Sequence, residues 1–578
     1  MTNNIRVFLW LGLALALWLN YSQWQLDYGP KPGAQTAESG GASGTESIPE
    51  AASVPPASQA GSEVPPAGAD VPPPVQSAAT DPVTNIVEPA SQPTGKVRVT
   101  TDVLVLDIDL LGGTLVYAEL PGYPITKGQP EPVVLFNQKS PSTNYVLATG
   151  LGGSSNDAAP THFAVFSSPT NKYSLEPGQQ ELRVPLTWTD GKGVTVTKTF
   201  VFKRGMFAIG LEYAIDNQSG APYQVHPYAQ IKRSDPPVER SMFKVDSFAF
   251  RGPAVWLKKK NDSDFTYHKL NLDKPQLIEE FDAVPNGWLA GMQHHFVSAI
   301  VPDPTKTYAY SMSVNGREYT LAASGPKETV APGSRAVLKQ SLFVGPKLQK
   351  QLVTLNPELD RVADYNWLTL IAKPLFWLLD KAHAVVGNWG VAIIFVTFLL
   401  KLLFYPLSEK AGRSMAKMRA LAPRMKALQE QYKDDRSKLG QATMDLYRTE
   451  KVNPLAGCLP MLIQMPVFLA FYWVLLESVE MRQAPFMLWI TDLSSRDPFF
   501  ILPALNGLAM WFQQKLNPPP PDPMQAKIFQ FMPVIFSVMF ALFPAGLVLY
   551  WVTNTGLSIL QQWNINRKLA REEKARKR

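Results

Sequence analysis

The chain has 578 residues, 46% of them hydrophobic and 18% charged, with a formal net charge of +7 and one cysteine. That length predicts several domains, and the single cysteine, Cys458 in an apolar run, excludes an intramolecular disulfide. Apolar runs crowd into the first 26 positions and the last 200, the distribution of a membrane protein with a large soluble insertion. Charge is concentrated as well. Residues 409–453 hold 11 Lys/Arg against 6 Asp/Glu and residues 564–578 hold 7 against 2, so each segment carries +5 and everything else −3.

Residues 1–28 carry one Arg and then an apolar stretch from Val7 to Leu19, which fits a signal peptide or an anchor. Ala14 and Ala16 imitate a cleavage site but lie inside the apolar core, and bulky residues run from Trp18 to Trp24, so an uncleaved transmembrane anchor is expected. Residues 29–95 follow, with 13 Pro between Gly29 and Thr94 and no aromatic residue. Such a composition cannot bury enough surface to offset its ordering entropy, so this is a disordered tether. Its clusters around Val71 to Val75 fit a spacer or a partner-binding segment.

From 96 to 345 short strands alternate with turn signals. TDVLVLDIDLLGG and GVTVTKTFVF have period two, and TYAYSMSVNGREYTLAAS reads as a hairpin whose Asn315-Gly316 suits a type I′ turn. A large antiparallel β-sandwich is expected. Five of the six histidines fall here, His162, His226, His268, His294 and His295; none has metal-ligand spacing, so they read as ordinary surface or core residues.

Residues 346–387 form a linker and an amphipathic helix. Trp367, Leu370, Ile371, Leu375, Trp377 and Leu378 fall at helical spacing with Lys373, Asp380 and Lys381 among them, the pattern of a helix lying in the membrane interface. Residues 388–408 read as a membrane span. Trp389 to Ser408 covers about 30 Å, with Lys401 roughly 18 Å from the outer end and roughly 10 Å from the inner one. A Lys at a span centre costs about 2.5–3.5 kcal/mol. It is therefore retained for use or relieved by snorkelling.

Residues 454–563 supply four further spans, at Leu455–Leu476, Phe499–Phe512, Ile528–Pro544 and Gly546–Trp563, making six with the anchor and the Lys401 span. The second and third runs are short, and Asn517 to Pro523 (NPPPPDP) breaks any helix between them. The positive-inside rule puts the basic segments 409–453 and 564–578 in the cytoplasm, with both termini, and the β-domain on the other side. The fold expected is an α-helical polytopic membrane protein of six spans with a large antiparallel β-sandwich outside the cytoplasm.

Residues 409–453 have internal order. Met415, Met418, Leu421, Met425, Leu428 and Tyr432 step by three or four, Pro423 suits the first turn of a new helix, and a second helix is expected from Lys438 to Glu450. The result is a basic helical hairpin with a methionine-rich face, either a packing seam or an adaptable surface for changing partners. Within the spans lie Thr397, Gln464, Asn506, Gln530, Thr553, Asn554, Thr555 and Ser558. One or two would be interhelical glue at about 0.6 kcal/mol each; eight beside a Lys with no acidic residue in those spans point to a wetted cavity that attracts negative charge.

Several stretches carry a resemblance: YPLSEKAGRSMAKMRAL (405–421), EKVNPLAGCLPMLIQMPVFLAFYW (450–473), ELDRVADY, ILPALNGLAM (501–510) and FMPVIFSVMFALFPAGLVLYWVTN (531–554). They resemble the YidC membrane protein insertases of Gram-negative bacteria, densely over 350–570. The resemblance implies that five of the spans form a core around a hydrophilic groove open to the cytoplasm and to lipid, and that the β-sandwich is periplasmic. The groove's central cation is usually Arg; the matching residue is Lys401, which keeps the charge and loses the guanidinium fork. Thr397, Tyr550 and Trp551 match positions along which a nascent hydrophobic segment slides, the hairpin of Met415, Met418 and Met425 matches the one making first substrate contact, and the basic tail suits ribosomal RNA. The β-domain resembles sugar mutarotases by fold only.

The expected function is insertion of hydrophobic segments of nascent proteins into the inner membrane, alone or with the Sec translocon, without covalent chemistry, cofactor or metal. The expected groove residues are Lys401, Thr397, Gln464, Asn506, Gln530, Thr553, Tyr550 and Trp551. Nascent membrane proteins, the Sec translocon, the ribosome and the phospholipid bilayer are the expected partners, and a monomer the expected state. The alternative is a polytopic transporter with a sugar-binding β-domain, which calls for internal repeats and midplane carboxylates. An enzyme acting on periplasmic glycan needs a pocket of perturbed acids or histidines.

Overall fold

Period-two alternation puts every second side chain of a strand on one face, and two such faces close into a core. The computed structural model describes residues 95–153, 158–235, 249–258, 264–270, 272, 276–432, 435–450, 459–516 and 523–576. In it the β-segment forms an eleven-stranded and an eight-stranded sheet. Among the described residues the strands pair antiparallel, apart from Lys96–Thr100 beside Lys172–Ser174. Leu106 and Ile108 of one strand and Leu182, Val184 and Leu186 of another are buried. They are the apolar half of each alternating run, and each such side chain contributes about 1.5–3 kcal/mol on burial.

Two local features depart from the sequence reading. The hairpin of Tyr308–Asn315 and Glu318–Ser324 pairs Asn315 with Glu318, so its turn residues are Gly316 and Arg317. Only Gly316 has a positive φ, 60°, whereas a type I′ turn needs two. Lys198 lies on an inward position of its strand and is fully buried. Its ammonium donates to Gly112 O, Gly113 O and Thr149 O at 2.8, 2.9 and 2.9 Å.

The helices are α1 (Gln349–Leu355), α2 (Thr369–Val386), α3 (Trp389–Leu403), α4 (Tyr405–Ala420), α5 (Ala422–Gln431), α6 (Arg436–Thr449), α7 (Leu459–Glu477), α8 (Ile501–Leu516), α9 (Pro523–Phe540) and α10 (Ala545–Arg576). The chain divides into two compact units, one containing Lys417–Pro454 and the other Val71–Ala416 with Leu455–Arg578. The expected anchor, the tether as far as Thr94, Cys458 and the linker 517–522 lie outside the described residues.

In the larger unit α2 buries Ala372, Leu375, Phe376, Leu379 and Ala382 and leaves Trp367, just before it, Leu370, Trp377 and Val385 exposed. Asn388 caps α3, accepting from Val391 N at 3.1 Å. The single straight span expected from Trp389 to Ser408 is corrected: α3 ends at Leu403 after about 22 Å, and the chain bends by 61° into Tyr405–Ser414. Pro406 explains the break, because it has no N–H to donate to the carbonyl four residues back in α3 and its ring crowds that carbonyl, while proline suits a first turn. Among the described residues no single helix is long and apolar enough to cross a membrane, although this bent pair is when taken together. Shorter apolar helices, Gln464–Glu477 and Lys527–Phe540, lie within α7 and α9. The basic tail is no separate segment, since α10 continues unbroken to Arg576.

The smaller unit holds α5 and α6. Pro423 stands in the first turn of α5. Helix α6 begins two residues earlier than expected because Asp435 caps it, accepting from Ser437 N and Lys438 N at 3.1 and 3.0 Å. Arg424 of α5 pairs with Glu450 at 2.5 Å, Met425 is buried and Met418 half-buried.

Candidate functional site

The bend after Leu403 opens space between helices. Thr397, Leu400 and Lys401 of α3, Phe404 at the break, Leu407 and Ser408 of α4, Gln464 and Val467 of α7, and Tyr550 and Asn554 of α10 line one pocket. Lys401 stands in the last turn of α3, where unsatisfied carbonyls make a cation favourable by about 0.3–1 kcal/mol.

Its ammonium donates to Ser558 Oγ at 2.7 Å. That hydroxyl donates in turn to Asn554 O at 2.7 Å, and Gln464 Nε2 donates to Asn554 Oδ1 at 2.5 Å. One hydrogen-bonded chain thus ties α3, α10 and α7 across the pocket. None of the lining residues is acidic. The nearby carboxylates Glu409 of α4 and Glu572 of α10 both pair with Arg413, at 3.2 and 3.0 Å. The pocket therefore offers a cation and amide groups to a ligand.

Of the eight groove residues read from the sequence, Lys401, Thr397, Gln464 and Tyr550 line this pocket. Thr397 is buried one turn before Lys401 and donates to Ile393 O at 2.6 Å. Tyr550 stacks on Phe471 with centroids 4.4 Å apart. Trp551 belongs to an adjoining aromatic group, edge-on to Phe468 at 4.6 Å and 5.1 Å from Phe540. Asn506 is fully buried elsewhere, accepting from Thr555 Oγ1 at 3.5 Å. Thr553 is half-buried beside the pocket's Asn554, and Gln530 is exposed on α9; neither lines the pocket. Met415 lies in α4, Met418 also in α4 and Met425 in α5.

Sequence reasoning missed Phe404, Leu407 and Ser408, which enter because of the bend; the signal was Pro406. It also missed the other end of α7. There His294 and His295 of the β-domain stack with centroids 3.7 Å apart, and Lys347 faces Glu477 at 3.5 Å with both side chains buried. Burial, with Lys347 beside it, holds His294 down to about 3. Burial likewise raises Glu480 to about 7.

Comparison with known proteins bears on this geometry. Residues 96–378 match the profile of the YidC periplasmic domain, and residues 381–573 that of the 60Kd inner membrane protein family. A protein of Thioalkalivibrio sulfidiphilus named membrane protein insertase YidC is 44% identical over 99% of this chain and 100% of its own length. One of the same name from Methylococcus capsulatus is 42% identical over 98% of each chain. A crystal structure described as an active YidC insertase with its first transmembrane domain resolved aligns at 19% identity and a TM-score of 0.35, covering 81% of this chain and 92% of that one. The transporter alternative gains no support from these relatives. With full-length identity above 40% to insertases of that name and family profiles matching both the β-domain and the helices that build the pocket, the chain belongs to the YidC family of inner membrane proteins.

Proposed function

We propose that this chain inserts hydrophobic segments of nascent proteins into the inner membrane, receiving the polar, acidic tail of a short nascent protein in the Lys401 pocket. The observation that carries the reading is Lys401 itself: an ammonium with a hydroxyl partner, in a pocket whose lining has amides and no acid. A point charge in such surroundings attracts a carboxylate without fixing its orientation. That suits substrates of varied sequence. The hydrophobic segment then slides past Thr397, Tyr550 and Trp551 into lipid, driven by burial of about 0.8 kcal/mol per CH₂.

In this reading six spans cross the membrane, five form the core, and both termini and the hairpin 409–453 are cytoplasmic. Met415, Met418 and Met425 make first contact with substrate. The nascent chain arrives from a ribosome held by the basic tail, or from the Sec translocon, and the chain works as a monomer without covalent chemistry. The exposed face of Trp367, Leu370, Trp377 and Val385 rests in the membrane interface.

The test is insertion, by the reconstituted protein, of a single-span substrate with an acidic translocated tail. Lys401→Ala is expected to lower the rate about tenfold, as for removal of one charge-assisted contact of 1.5–3 kcal/mol, and Lys401→Arg to retain it. Equal rates for all three proteins would overturn the electrostatic role.

A further inference from the structure

Helix α7 forms one wall of the pocket through Gln464 and Val467 and runs outward to Glu477. A helix leaves its last four carbonyls without intrahelical donors. Ser478 N donates to Val474 O at 3.1 Å, and the β-domain supplies a donor to Leu476 O. The tight turn between strands Trp288–Met292 and Phe296–Val301, closed by Gln293 N donating to Phe296 O at 2.8 Å, presents His294 and His295 to the helix end. His294 Nε2 donates to Leu476 O at 2.9 Å, and the His295 ring stacks on that of His294 with centroids 3.7 Å apart.

The residues around this cap hold it in place. Lys347 N donates to His295 O at 2.9 Å, while the Lys347 ammonium faces the Glu477 carboxylate. Gln349 Nε2 donates to Tyr365 Oη at 2.6 Å, and Tyr365 in turn reaches Ser478, 3.5 Å away. A second contact braces the loop after α7: Arg482 donates to Pro124 O at 2.7 Å, and Lys127 to Gln483 O at 2.7 Å. Both histidines are more than nine-tenths buried, so water does not replace His294 as the donor to Leu476 O.

We infer that His294 and His295 are positioning residues: the periplasmic domain caps the outer end of α7 and thereby sets where the Gln464 wall of the pocket stands relative to Lys401. The functional consequence rests on the insertase reading; the placement of α7 does not. A buried carbonyl that loses its donor seeks another partner or water. Removing the His294 donor together with the ring stacked on it therefore lets the outer turn of α7 fray and the wall shift.

The experiment uses the full-length chain in nanodiscs of phosphatidylethanolamine and phosphatidylglycerol. Cys458→Ser removes the native thiol, and Met465→Cys on α7 and Leu560→Cys on α10, both exposed at 44% and 62%, carry spin labels. The His294→Ala/His295→Ala pair is expected to shift or broaden the label distance by about 2 Å or more and to slow insertion of the acidic-tailed substrate about tenfold. The His294→Gln variant, with His295 left in place, keeps an N–H donor to Leu476 O and is expected to restore both readouts. An unchanged distance in the alanine pair, or a glutamine variant that behaves like it, overturns the proposal. A distance shift in a protein whose parent inserts nothing would uphold the positioning role and overturn the insertase reading alone.

Discussion

Lys401 and Lys198 are both lysines whose hydrogen bonds go to uncharged oxygens, and their surroundings give them different work. Lys198 is sealed in the β-sandwich with three carbonyls and the rings of Phe166, Phe200 and Tyr213 within 6 Å. Burial pushes its ammonium well below the ordinary lysine range. Lys198→Met keeps the bulk and removes three donations, so urea unfolding should show a loss of about 3 kcal/mol or more, at 1–3 kcal/mol for each carbonyl left bare. Lys401 has one hydroxyl partner and lines a pocket. Ser558→Ala should therefore leave the fold intact and change insertion less than Lys401→Ala does. His162 gives a pH prediction. Burial first, then Lys198 and Lys232, hold its imidazole down to about 4, against about 6.5 when free. The unfolded chain thus takes up a proton that the folded one refuses. Its contribution is fully present above about pH 6.5 and is lost as pH falls towards 4, at about 1.4 kcal/mol per unit. Unfolding in urea at pH 7 and pH 5 should differ by about 2 kcal/mol more in the parent than in His162→Gln.

At the scale of elements, legibility followed periodicity. The β-sandwich could be read because half of each strand faces one core, as Leu182, Val184 and Leu186 do, and period two reports that directly. The break at Pro423 could be read because proline is a local signal that acts locally, whereas α6 was started two residues late because the Asp435 cap was not read. The bend at Phe404 was missed because hydropathy does not register a break in direction, and the apolar run was carried across Pro406 to Ser408. Placing Phe404, Leu407 and Ser408 in the pocket needed Pro406 to be read as Pro423 was. Asn506, Thr553 and Gln530 do not line that pocket. Counting polar residues in apolar runs finds them without telling which face of the helix they occupy, and period 3.6 alone does not say which face meets α3. Helix α2 is apolar on both faces, one packed inward and one bare. Leu370→Glu with Trp377→Glu should leave the inward packing of Leu375 and Leu379 untouched, yet lower the rate of insertion severalfold. Protease resistance of the β-domain in the same samples checks that the fold survives.

Across the whole molecule the sequence located the periplasmic domain and the helical part and left their junction dark. His294, His295, Lys347 and Glu477 are separated by up to 183 positions, and no spacing rule links them; only the fold brings them together. They give the β-domain a part in placing α7. With the cap of α7 drawn from that domain, deletion of residues 96–345 should slow insertion about as much as the alanine pair at 294 and 295, roughly tenfold, without abolishing it. Comparing the two rates side by side checks this. The central claim, that the Lys401 pocket receives the nascent chain, is tested most directly by photo-crosslinking a stalled nascent chain with an acidic tail. The crosslinker is placed in turn at Thr397, at Gln464 and at exposed Gln530. Strong adducts from Thr397 and Gln464, weakened by Lys401→Ala, with little from Gln530, are expected. Adducts from Gln530 equal to or stronger than those from the pocket, or adducts indifferent to Lys401, would contradict it.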